Sequence, residues 1–98
     1  MVNLMPDTIV QRIDNNVTEA KLEDTVVLLH VENGMYYDFH KTSAYLWILL
    51  EEPHTVEDLS KMLAQKYDCT ADQNYPDVVA FLHQLDGVGL LHIKNICN

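Results

Sequence analysis

At 98 residues, 48% of them hydrophobic and with only three glycines and three prolines, the chain has the composition of one globular domain, residues 1–98, and it is too rich in apolar side chains for general disorder. Fifteen Asp and Glu against six Lys and Arg give a net charge of −9, which repels a phosphate backbone or anionic lipid and favours basic or neutral partners. The longest uninterrupted apolar run, residues 44–50, is too short to span a bilayer, and the N-terminus lacks the basic region and apolar stretch of a signal peptide, so the expectation is a cytoplasmic protein with no membrane partner and no nucleic-acid partner.

Taken in chain order, residues 8–13 (TIVQRI) have strand composition, the Asp-Asn-Asn at 14–16 supplies turn chemistry, and a polar segment follows to Asp24. Residues 25–31 (TVVLLHV) are β-branched and apolar on both faces, and Glu32-Asn33-Gly34 is a hairpin turn signal leading into Met35-Tyr36-Tyr37-Asp38-Phe39. In that second arm Met35, Tyr37 and Phe39 share one face, expected to be core, while Tyr36 and Asp38 point the other way, because strand side chains alternate. Thr42 is placed to cap a helix running to about Glu51, ended by Glu51-Glu52-Pro53-His54. Thr55 opens a second helix with Asp58 three residues on, followed by Val56, Leu59, Leu63 and Tyr67 at helical spacing. After a loop at 68–74, a third helix is expected over 75–86, with Pro76 in its first turn and an apolar stripe of Val78, Phe81, Leu82 and Leu85; Gly87 and Gly89 stop it. Residues 90–93 read as a short extended piece and the tail to Asn98 as frayed, which puts the ordered core at about 8–93.

This order predicts an α+β, winged-helix-like fold, a three-stranded antiparallel sheet followed by three helices. The hairpin joins the second and third strands, and the first strand pairs most simply with the second. The third strand is thereby left on an edge, open to a partner.

The sequence carries no enzyme signature. The five histidines have no HExxH or paired spacing, and Cys69 and Cys97 belong to no CxxC pair, so free thiols and no metal are expected. His30 and His40 sit in a strand and at a strand-to-helix junction, where an imidazole packs with a backbone partner. There is no GxSxG and no P-loop, and no cofactor is expected. Glu51, Glu52, Glu57 and Asp58 read as solvated charge at helix ends, and Asp77, in the first turn of the third helix, as either a dipole partner or the charged rim of a groove. Tyr36, Tyr37, Phe39, Tyr45 and Trp47 crowd into a dozen residues; as a stacking platform for single strands they would need a basic groove, and only Lys41 is near.

Taken together, Gly34, Tyr37, Thr42, Ala44, Trp47, Leu50, Thr55, Val56, Leu59, Asp77, Phe81, Leu82, Leu85, Gly89 and Leu90 resemble, in order and spacing, the pattern of the PqqD-like proteins, or RiPP recognition elements. The resemblance covers about Ile9 to Leu91. Phe39-His40 stands where Leu-Asn is usual, Ser43 replaces a glycine, and Ile48 replaces a polar helix residue, marking an extra apolar contact with a partner.

The resemblance implies a non-catalytic module that binds the leader segment of a ribosomally made precursor peptide and delivers it to modifying enzymes. In that family the leader adds to the third strand and packs beside the third helix. The expected peptide-binding residues are therefore Met35, Tyr36, Tyr37, Asp38 and Phe39 along the strand, with Asp77, Val78, Phe81 and Leu85 lining or bordering the groove. A free-standing chain of this length suits the lasso-peptide branch, with a leader peptidase and a cyclase as partners; a carrier of the pyrroloquinoline-quinone precursor peptide is the family alternative. Outside the family stand an acidic winged-helix regulator, disfavoured by the charge, and a dimerisation module in which the exposed edge pairs two copies.

Overall fold

The computed structural model describes residues 4–94; the expected frayed tail and the Cys97 thiol lie outside them. Nine elements follow in order: β1 (Ile9–Arg12), β2 (Val17–Leu22), β3 (Thr25–His30), β4 (Tyr36–His40), α1 (Thr42–Leu49), β5 (His54–Thr55), α2 (Val56–Lys66), α3 (Ala71–Gly87) and β6 (Leu91–Lys94). They make an α+β fold with three helices and a three-stranded antiparallel sheet in the order β2-β3-β4.

The membership of that sheet differs from the sequence reading. β1 forms where residues 8–13 predict a strand, but it pairs with β6 and the short β5 in a second antiparallel sheet. The place beside β3 is taken by β2, from the segment expected to be polar and irregular. The alternation in Val-Thr-Glu-Ala-Lys-Leu is obscured because a carboxylate lies on its inner face. Glu19 stands opposite Leu28, and its side chain is 19% exposed beside Arg12 and accepts a hydrogen bond from Trp47 Nε1 at 3.3 Å. A strand whose inward polar residue is satisfied by a distant indole and guanidinium has no period that composition reveals.

The hairpin between β3 and β4 forms as expected, with Gly34 at φ +71° in its turn, where a residue without Cβ adopts the left-handed region at little cost. β4 then runs into α1 with one residue between. Thr42 does not cap this helix; Lys41 is the N-cap, with φ +52° and no side-chain hydrogen bond. The abrupt reversal from strand to helix is made by the backbone of Lys41, and that displaces Thr42 into the first helical position. α2 starts as predicted, Thr55 Oγ1 accepting from the Asp58 amide at 3.1 Å, and buries Val56, Leu59 and Leu63.

α3 is a turn longer than the sequence stripe predicts, because Thr70 and Gln73 form a reciprocal capping box: the Gln73 amide donates to Thr70 Oγ1 at 3.2 Å and the Thr70 amide to Gln73 Oε1 at 3.1 Å. Residues 71–74 are thus helix rather than loop. Pro76 stands inside the helix instead of in its first turn, so the Asp72 carbonyl has no i+4 amide donor. Asp77 is likewise beyond the first turn, where Asp72 is the acidic residue, which removes its reading as a dipole partner. The helix ends at Gly87, and Gly89 at φ +77° turns the chain into β6.

The helices and both sheets close over one core in which Trp47, Val10, Leu28, Leu50, Leu59 and Leu82 are wholly or almost wholly enclosed. β1 is tied to the end of α1 by the Arg12 amide, which donates to the Leu50 carbonyl, and the Ile13 amide extends the β1–β6 pairing by donating to the Leu90 carbonyl, each at 2.9 Å.

Removing the capping hydroxyl tests where α3 begins. Thr70→Ala should lower the unfolding free energy by about 1 kcal/mol in urea titration; an unchanged midpoint and slope would place the helix start near Tyr75.

Candidate functional site

β4 is the last strand of its sheet, and the pairing register decides which of its backbone groups are free. The His30 amide donates to the Met35 carbonyl at 2.9 Å, and residues opposite one another alternate between exchanging both hydrogen bonds and exchanging none. With Leu28 opposite Tyr37 and Val26 opposite Phe39, the ladder groups of Met35, Tyr37 and Phe39 face β3. The same parity reaches the Lys41 amide, which donates to the Asp24 carbonyl at 2.8 Å. The N–H and C=O of Tyr36 and Asp38 therefore point away from the sheet, and among the described residues nothing pairs with them.

Side chains alternate with the opposite consequence. Phe39 is 6% exposed and packs its ring against Trp47 at 5.7 Å and edge-on against Phe81 at 5.2 Å, ring centroid to centroid, so β4 is held to α1 and α3 through one residue. Tyr37 is half-buried on the same face. Met35, expected with them in the core, is 54% exposed, because the hairpin turn carries it past the helices. On the outer face Tyr36 is 70% exposed, and Asp38 Oδ2 lies 3.1 Å from His40 Nε2. His40 Nδ1 in turn lies 3.2 Å from Thr25 Oγ1, so its partners are side chains and not the backbone group expected from its position.

Across from the free edge stands α3. Val78 and Leu85 are enclosed, at 0% and 1% exposure; they seat the helix on the core and carry Phe81 to Phe39. Asp77 is exposed on the side of Phe81 away from Val78 and Leu85, and Gln84, seven residues on, shares its face with Ala80 nearby. The contact that joins β4 to α3 is that of Phe39 with Phe81, and the flank of α3 next to Phe81 carries the exposed Asp77, Ala80 and Gln84. Ala80 and Gln84 escape sequence reasoning because the period of the stripe marks the buried face; counting three and seven residues on from Asp77 would have found them.

The opposite edge of the sheet, β2, is also unpaired, but it is less inviting. The residues whose backbone groups it leaves unpaired include Glu19 and Lys21, whose side chains form an ion pair at 3.4 Å, and the Val17 amide is directed at the Asp14 carbonyl at 3.4 Å. Charges of this kind on an edge discourage strand addition. No group of His, Cys, Asp and Glu among the described residues could hold a metal ion, and no described helix is long and apolar enough to cross a membrane.

The family model for coenzyme PQQ synthesis protein D (PqqD) matches residues 25–91, from β3 to the first residue of β6. The chain belongs to the PqqD family. Two solved structures are similar to this PqqD-family chain over most of its length. One, described as TbiB1 in complex with the TbiA(beta) leader peptide, is 26% identical with a TM-score of 0.73, over 90% of this chain and 100% of that one. The other, lasso peptide synthetase B1 complexed with the leader peptide, is 20% identical with a TM-score of 0.72, over 85% and 96% of the two chains, and shares the fold. No curated protein sequence matches.

The register makes a direct prediction for amide hydrogen exchange in the free protein. The Tyr36 and Asp38 amides should exchange at rates close to those of exposed loops, and those of Tyr37 and Phe39 should be protected. Protection of Asp38 comparable to that of Phe39 would mean that the parity is reversed.

Proposed function

We propose that this protein binds the leader segment of a ribosomally synthesised precursor peptide by strand addition to β4, without catalysis, and delivers it to modifying enzymes. The observation that carries the reading is the unpaired backbone of Tyr36 and Asp38 on a strand clamped to α3, in a chain 26% identical to a protein solved with a leader peptide. The lasso-peptide branch, with a leader peptidase and a cyclase as recipients, is favoured over a pyrroloquinoline-quinone precursor because one of the similar proteins is a lasso peptide synthetase B1.

Magnitudes restrict how such a site works. About four edge hydrogen bonds contribute roughly 0.5–1.5 kcal/mol net each, whereas ordering a flexible peptide costs about 1–2 kcal/mol per residue. Backbone pairing over five residues therefore falls short by itself. Two or three leader side chains must be buried against the protein, each contributing roughly 1.5–3 kcal/mol. In the proposed arrangement alternate leader residues turn inward over Tyr37 and the Phe39–Phe81 contact, bordered by Asp77, while Met35 and Tyr36 offer exposed apolar surface at the hairpin end. Val78 and Leu85 act from within the core, keeping α3 at the spacing the peptide needs. Asp38 on the outer face, with the acidic chain behind it, favours a leader carrying Lys or Arg, an effect felt more in association rate than in affinity.

Calorimetric titration with the leader encoded beside the gene should give saturable binding, with amide resonances moving at Tyr36 and Asp38. Asp38→Pro removes an outward N–H at an edge position that tolerates proline and should abolish that binding in a protein whose spectrum shows it folded. Undiminished binding by the folded variant, or no heat with the wild-type protein, would overturn the reading.

A further inference from the structure

A concavity of about 200 Å³ opens at the end of the sheet opposite the β3–β4 turn, between the β2–β3 turn, the start of α1 and the end of α2. Its floor is apolar and aromatic: Val26, Ala44 and Ile48, with Tyr45 and Tyr67 set edge to face at a centroid distance of 6.3 Å. Lys21, Lys41 and Lys66 line it, half of the six Lys and Arg in a chain of net charge −9.

Lys21 is held by Glu19 at 3.4 Å, but the other two lysines are not neutralised by neighbouring acids. Arg12, Lys21 and Lys61 each have a carboxylate within 4 Å, but among the described residues Lys41, Lys66 and, away from the cavity, Lys94 have none, although Glu23 and Asp24 share the rim. Lys66 instead holds its ammonium 5.5 Å from the centre of the Tyr45 ring. Glu23 and Lys41, at φ +50° and +52°, are the only non-glycine residues with positive φ among those described, and both stand at this cavity. Ile48, 42% exposed, offers the cavity an apolar side chain that the core does not take up.

We infer that this cavity is a second docking site, separate from the β4 edge, for an apolar segment of a partner polypeptide that carries a carboxylate. The volume decides the size of the occupant: it is below the roughly 300–1,000 Å³ of small-molecule sites and suits one or two side chains. The chemistry decides its character. An apolar side chain enters against Ile48 and the tyrosine pair, and an adjacent Asp or Glu meets Lys41 and Lys66, which no internal acid holds. An acidic partner would be repelled by most of this surface, so the site also orients its approach.

The test is a ¹⁵N NMR titration of the full chain with acetyl-Leu-Glu-Phe-Glu-amide, its Gln-for-Glu counterpart and inorganic phosphate as separate probes. The acidic peptide should give saturable shifts at Ala44, Tyr45, Ile48 and Tyr67 that weaken at high salt, and leave Tyr36 and Asp38 unmoved. The Gln counterpart should bind at least about fivefold more weakly, and so should Lys41→Asn with Lys66→Gln, in which asparagine keeps a residue tolerant of positive φ. Ile48→Gln should weaken binding while keeping its salt dependence. Equal binding of the Gln peptide, equal shifts with phosphate alone, shifts spread equally to Lys61 and Lys94, or an unaffected double variant would overturn the inference. Shifts confined to Tyr36 and Asp38 would also overturn it, while leaving leader binding at that edge standing.

Discussion

Trp47 is fully enclosed, and three strands meet on its indole. The Arg12 guanidinium of β1 lies 4.9 Å from the ring centre, Phe39 of β4 packs against it, and its Nε1–H donates to Glu19 of β2. Through Phe39 the contact extends to Phe81 on α3. Arg12, with a side chain only 8% exposed, is itself satisfied by Asp14 at 2.9 Å, Glu51 at 3.4 Å and the Trp47 carbonyl at 3.2 Å. A guanidinium withdrawn from water this far is tolerated only with such partners, and removing it would leave Glu19 half-buried without its counter-charge. The cluster joins the second sheet to the first and sets the distance between β4 and α3.

That distance is what gives the β4 edge its chemistry. A free edge strand on a flexible hairpin would lose conformational freedom on binding and add that cost to the cost of ordering the peptide. Here one face of β4 is locked by aromatic packing, and the parity of the ladder then leaves the amides of Tyr36 and Asp38 outward, as fixed donors. Rigidity and availability come from the same alternation: the residues whose side chains are buried are those whose backbone groups pair with β3, and the residues with exposed side chains carry the open groups.

The charge of the protein is likewise arranged and not merely abundant. Acidic residues surround a surface on which Arg12 is drawn inside and Lys21 and Lys61 are paired, while Lys41 and Lys66 are left together at one corner. Asp38 on the β4 edge and the lysines at the cavity beside α1 thus place unlike charges at separate places on one small molecule.

Local pattern alone determined the β3–β4 hairpin, because Glu32-Asn33-Gly34 lies between two β-forming runs, and the faces of α2 and α3, because Val56, Leu59 and Leu63, and Val78, Phe81, Leu82 and Leu85, recur at helical spacing. It also determined that residues 36–39 lie on an edge beside β3, although the strand on the far side of β3 is β2 and not β1, and its family resemblance agrees with the family match. What only the tertiary structure decided depends on residues distant in sequence. β2 is a strand because Glu19 finds Trp47 and Arg12; β1 joins a second sheet because β6, some eighty residues later, returns beside it. Lys41, and not Thr42, is the N-cap of α1 because the chain must reverse onto the core there. At the site, the sequence stripe marked Val78 and Leu85, which periodicity reveals because they are buried, whereas Ala80, Gln84 and the lysine cavity are surface features. Burial imposes a repeating pattern on a chain, but an exposed site is brought together by packing elsewhere and leaves no period to read.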